Sequence, residues 1–149
     1  MDKTQPQLTK LAVQATVHCL SGCAIGEILG TVIGSGLNWS NWGTEILTIP
    51  LAFVFGYSLT MRPLRRHGLS WRAAGGVALG SDTLSITTME LMDTLVILLV
   101  PGALAAGPTN LLFWTSLVLS LAVAFVCAVP VNRWLITRGR GHALVHKYH

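Results

Sequence analysis

Read for apolar and polar positions, the chain divides into four long apolar stretches separated by short polar breaks. They run from about Leu11 to Gly34, Thr44 to Met61, Ala73 to Val100 (with a polar middle) and Leu111 to Leu135. A helix that crosses the roughly 30 Å hydrocarbon layer needs about 20 residues, at a rise of about 1.5 Å each. All four stretches are of that order. A membrane β-barrel instead needs segments of about ten residues that alternate apolar with polar. Runs such as LVILLV and LVLSLAVAFV do not alternate. The pattern therefore predicts an all-α fold, an integral membrane four-helix bundle in a single domain, followed by a basic, histidine-containing tail over residues 136–149.

The breaks fit this scheme. GLNWSNWG follows the first span, and Trp39 and Trp42 read as anchors at headgroup level. PLRRHGLSW joins the second span to the third, and PGALAAGPTN joins the third to the fourth, with Pro101 and Pro108 as breakers. Pro50 and Pro130 fall inside spans, where each removes one backbone hydrogen bond and bends the helix.

Composition excludes the main alternatives. Hydrophobic residues make up 52% of the 149 and charged residues 11%, against about 25% charged in soluble domains. A soluble protein lacks polar cover at this level, and disorder requires low hydrophobicity with high charge. The ten Lys and Arg are Lys3 and Lys10 before the first span; Arg62, Arg65, Arg66 and Arg72 around the second break; and Arg133, Arg138, Arg140 and Lys147 after the fourth span. All fall on one side of the membrane, so the positive-inside rule predicts that both termini are cytoplasmic. The basic excess behind the net charge of +4 is thus explained by membrane orientation. Anionic inner-leaflet lipid is the expected partner of these basic residues, and nucleic acid is not. The first apolar stretch is longer than a signal-peptide core and lacks a small-residue cleavage site, so it is expected to stay attached.

The acids are distributed in the opposite way. Glu27, Asp82, Glu90 and Asp93 fall within the first and third spans, and Glu45 lies near the outer end of the second. No Lys or Arg lies at matching depth. An ionised acid at the bilayer centre costs about 2.5–3.5 kcal/mol on insertion scales. Each acid must therefore be protonated and hydrogen-bonded, face a wet cavity, or meet a cation.

In HCLSGCAIGEILGTVIG, Cys19, Cys23 and Glu27 recur every four residues and share a helix face, with His18 at its edge. Gly22, Gly26, Gly30 and Gly34 form an adjacent small-residue ladder that lets another helix approach closely. A Cys19–Cys23 disulfide is disfavoured, because a regular helix holds their Cβ atoms farther apart than the bridge's roughly 3.5–4.5 Å. Cys127, alone in the fourth span, reads as packing. In the third span, Asp82, Met89 and Asp93 fall on a narrow arc bordered by Glu90, with Ser85 and Thr88 beside it and Met92 three residues beyond Met89. If the first and third spans touch, two layers result: His18, Cys19 and Cys23 with Asp82, then Glu27 with Met89, Glu90 and Asp93.

Thiol, imidazole and thioether are soft ligands suited to Cu(I). Cysteines and methionines at helical spacing are nonetheless core fillers more often than ligands. The tail carries His142, His146 and His149, read either as a solvated tail or as a metal-loading segment. No Walker, GxSxG, HExxH or GxGxxG signature is present, so neither an enzyme nor a nucleotide cofactor is expected.

HCLSGCAIGE (His18–Glu27), SDTLSITTMELMD (Ser81–Asp93), PVNRWLITRG (Pro130–Gly139) and GHALVH resemble the DUF4396 family of small bacterial four-span membrane proteins. The resemblance covers almost the whole chain. It implies a helical membrane domain of this size, multi-pass in the bacterial inner membrane, and carries no activity, cofactor or site residue with it.

The leading expectation is a protein that binds or transports a cation, foremost a soft transition metal such as Cu(I). Its ligands would be His18, Cys19 and Cys23, with Met89 and Met92 as further donors. Glu27, Asp82, Glu90 and Asp93 would provide charge compensation or a proton route. The alternative is a non-catalytic accessory subunit, homo-oligomeric or docked by its glycine ladder in a larger membrane complex. A haem or redox protein using His18 is a third option, weakened by the lack of a second intramembrane histidine and of a CxxCH motif.

Overall fold

The computed structural model describes residues 5–138. Four helices follow one another: α1 (Gln5–Gly36), α2 (Asn41–Arg66), α3 (Trp71–Leu99) and α4 (Leu111–Thr137), with one 3-10 turn at Ala103–Ala105 before α4. No strand occurs among the described residues. His142, His146 and His149 of the tail lie outside them.

The helices overrun the apolar stretches, because the backbone ladder continues into the headgroup zone where polar side chains are solvated. The largest difference is at PLRRHGLSW, expected as a connection from Pro63 onward. Pro63–Arg66 instead forms the last turn of α2, and the chain reverses over residues 67–70, with Gly68 at φ 87°. Side chains close three helix starts. Ser40 Oγ accepts from Gly43 N, Ser70 Oγ from Ala73 N and Asn110 Oδ1 from Leu112 N, each satisfying an amide with no intrahelical partner.

The helices alternate in direction and pack as a ring, α1 on α2, α2 on α3, α3 on α4 and α4 back on α1, with α1 and α3 also touching across the centre. Three of the four, α1, α2 and α4, are long and apolar enough to cross a membrane. The third, α3, matches them in length but carries three acids. It turns Asp82, Glu90 and Asp93 inward and Leu84, Leu91, Leu95 and Leu98 outward. Large apolar side chains cover the outside of the bundle, and much of the buried interior is Ala, Gly, Ser, Thr, Cys and carboxylate. Such an inverted distribution suits lipid as the solvent. The molecule is an all-α, four-helix membrane bundle.

The α1–α2 seam shows why the chain packs so closely. A Cβ added at Gly22 would lie 2.6 Å from Gly56 Cα, and one at Gly26 2.6 Å from Ala52 Cα. Gly30 meets Thr48 and Gly34 meets Thr44 in the same way. One step of four along α1 is thus answered by one step of four back along α2. His18 and Thr60 continue the register, joined by a 3.0 Å hydrogen bond. The ladder is therefore used inside the chain. This overturns the expectation that it serves as a docking face for another protein.

Candidate functional site

The acids gather in the half of the bundle nearest the α1–α2 and α3–α4 connections. Glu45 lies one turn into α2. Glu27 lies on α1, and Glu90 and Asp93 lie on α3. All four are buried, at 6–8% exposure. Asp93, Glu45 and Glu90 are all close enough for their charges to act on Glu27. Two of them, Glu45 and Asp93, accept hydrogen bonds from hydroxyls on neighbouring helices. Thr94 Oγ1 donates to Glu45 Oε1 at 3.2 Å, and Ser120 of α4 donates to Asp93 in a short bond. Neither a lysine nor an arginine occurs between Leu11 and Met61 or between Ala73 and Asn132. The four carboxyls therefore share an interior without a basic partner of their own depth.

A polar pocket of about 70 Å³ reaches this cluster from the connection end. Glu27 and Glu45 form its inner wall, Thr31, Ser35 and Thr44 its side, and Trp39 and Asn41 its mouth. A cavity needs about 10–15 Å³ to admit one water, so the pocket has room for water beside Glu27 and Glu45. Of the three fates open to a buried acid, contact with a wet cavity is thus available to Glu27 and Glu45.

Asp82 belongs to a different layer, nearer the middle of α3. It is fully buried; its Oδ1 accepts from Ser81 Oγ at 2.7 Å and from Cys19 Sγ at 3.8 Å. One turn outward, Cys23 Sγ lies 3.9 Å from Met89 Sδ. Both cysteines and Met89 belong to one buried core with Ala52, Ile86, Ala124 and Ala128, and Met92 packs against it from the side. Beside this core, Asn132 Nδ2 donates to both Thr16 Oγ1 and Ser85 Oγ at 2.9 Å, tying α4 to α1 and α3.

The expected layers thus form only in part. Cys19 meets Asp82 as predicted. Cys23 moves to the next layer with Met89, because one helical turn along α1 is answered by about two turns along α3. His18 leaves the group altogether. Its ring faces α2, where Thr60 is its partner, because it stands on the glycine-ladder line rather than the cysteine line. Among the described residues, no three His, Cys, Asp or Glu side chains come near enough to hold a metal ion. Thr88 Oγ1 donates to Leu84 O at 2.8 Å, and Cys127 is half-buried. Pro50 and Pro130 lie on the exposed face, away from the site.

Several site residues escape a reading by chemical type alone. Ser116, Ser120, Ala124, Ala128 and Asn132 repeat every four residues on α4, and Thr44, Thr48, Ala52, Gly56 and Thr60 do so on α2. These small-residue ladders mark the inward faces of both helices, and with them Ser120, Asn132 and the wall of the pocket.

No curated protein and no solved structure matches the chain. A family model matches residues 9–141, which takes in all of α2 and α3 and nearly all of α1, as well as α4 with Ser120 and Asn132. On that match the chain belongs to the family described as "Domain of unknown function (DUF4396)".

Proposed function

We propose that this protein binds a cation among Glu27, Glu45, Glu90 and Asp93 and passes it through the bundle, as a multi-pass protein of the bacterial inner membrane with both termini cytoplasmic. One observation carries the proposal: four carboxyls from three helices are buried together without a basic partner, and a polar pocket reaches two of them. Positive charge is what such a site lacks. Protons or a hard cation fit oxygen donors of this kind. The carboxyls do not converge on a ready-made metal cage, and the hydroxyls of Thr94 and Ser120 bond to them as relay groups would. Protons are therefore the leading cargo. The orientation follows from the basic residues at the end opposite the pocket.

A specific contact favours a second cargo. Cys23 and Met89 bring two soft sulfurs to 3.9 Å in the core, with Cys19 one turn away, and Cu(I) is the ion that such donors prefer.

Purified protein in liposomes with an internal pH dye, beside elemental analysis of the same preparation, tests both. Glu27→Gln and Asp93→Asn are each expected to lower proton flux at least tenfold while the helical signal persists. Copper retained by the wild type, and lost in Cys19→Ser with Cys23→Ser, would move the assignment to the soft site. Absence of flux and of bound metal, with stable co-purification of a larger complex, would overturn the transport function in favour of an accessory subunit.

A further inference from the structure

The basic end of the bundle holds a second built feature, remote from the carboxyls. Where α2 runs out and α3 begins, a groove of about 440 Å³ is lined by Ser58, Met61, Arg62, Arg65, Arg66 and Trp71. Arg62 and Arg66 stand one helical turn apart on α2, and both are exposed. Arg65 is held in place: its guanidinium lies 4.6 Å from the centre of the Trp71 ring and donates from Nη1 to Leu69 O at 2.6 Å. Trp71 is 67% exposed although it opens α3. Its indole stands beside Arg65 as an exposed apolar wall, of the kind that prefers the boundary between headgroup and acyl chain. No acid occurs between Met61 and Ser81, and among the described residues none lines the groove beside the three guanidiniums.

We infer that this groove is a binding site for an anionic phospholipid. The lipid phosphate lies between Arg62 and Arg66, which offer planar donors suited to phosphate oxygens. The glycerol backbone and first acyl carbons lie along Trp71 and Met61. Charge complementarity selects the headgroup, and the apolar wall selects a lipid over a free anion. The wall continues past Ser58 toward the hydrocarbon-facing side of α2, where Val54 is 56% exposed, so an acyl chain has a surface to follow. The site is independent of the proposed cation path and of which terminus faces the cytoplasm.

Detergent-solubilised full-length protein, titrated with phosphatidylglycerol or phosphatidylcholine and read by native mass spectrometry, tests the site. The wild type is expected to prefer phosphatidylglycerol at least tenfold. Arg62→Gln with Arg66→Gln is expected to erase that preference. Lys10→Gln with Arg138→Gln removes the same charge from the same end of the bundle outside the groove, and is expected to keep the preference within about twofold. Trp71→Ala, which leaves Arg62 and Arg66 in place, is expected to weaken retention of both lipids. Equal loss in the two double variants would overturn the site in favour of diffuse surface charge. So would the absence of preference in the wild type, or displacement of the lipid by inorganic phosphate at matching concentration. Circular dichroism of each variant separates loss of the site from loss of the fold.

Discussion

Helix α1 meets its neighbours along two faces of opposite character. Toward α2 it presents glycine, and the partner answers with Gly56, Ala52, Thr48 and Thr44. Toward α3 and α4 it presents Thr16, Cys19, Cys23 and Glu27, and the partners answer with Asn132, Asp82, Met89, Glu90 and Asp93. The first face is governed by volume, because lipid supplies no hydrophobic drive between helices and close backbone contact must supply the attraction. The second is governed by polar satisfaction, because a buried hydroxyl, amide or carboxyl without a partner costs more than a small void. A residue on the first face is thus constrained in size, and one on the second in chemistry.

Substitutions can break this contrast. The largest effect is expected from Gly26→Leu, which drives a side chain into the Ala52 backbone. Rigid backbone leaves little room to relax, so a loss of about 3 kcal/mol is expected, the upper end for overpacking, read as a lowered thermal midpoint in detergent. Asn132→Leu keeps the volume and removes the donor to Thr16 and Ser85. Thr16 retains its own bond to Ala12 O at 2.8 Å, so the expected loss is only about 1 kcal/mol. Were Asn132→Leu to cost more than Gly26→Leu, the roles of the two faces would be reversed. The smallest effect sharpens the point by its sign. Gly76 on α3 has open space where a Cβ would stand, so Gly76→Ala should stabilise by about 0.5–1 kcal/mol through helix propensity alone. Gly26→Ala, the same exchange on α1, should destabilise.

A related contrast separates Asp82 from the four outer acids. Asp82 is fully buried beside Ser81 and Cys19, whereas Glu27 and Glu45 border the pocket. Asp82→Asn is therefore expected to leave proton flux within about threefold of wild type, while Glu27→Gln does not. Equal loss in both would extend the proposed path through the middle of the bundle, and parallel flux and stability measurements on the two variants decide between these outcomes.

Much of this architecture is legible in the residues alone. Apolar length predicts four helices, since hydrocarbon thickness and helical rise leave little choice. Spacing of four places Cys19, Cys23 and Glu27 on one face and the glycines on the next, since helical geometry is local. The burial of Glu27, Asp82, Glu90 and Asp93 follows as well, because lipid rejects them from the outer surface. Which helix each face meets is a different matter. It depends on how four rods pair, and one sequence does not encode that in any local pattern. Only the tertiary structure turned His18 toward Thr60, paired Cys23 with Met89 rather than with Asp82, spent the glycine ladder on α2 and brought Glu45 to the other acids. Depth along a helix is counted in residues, but a site is made by the neighbours across a seam, and those are chosen by the packing of the whole bundle.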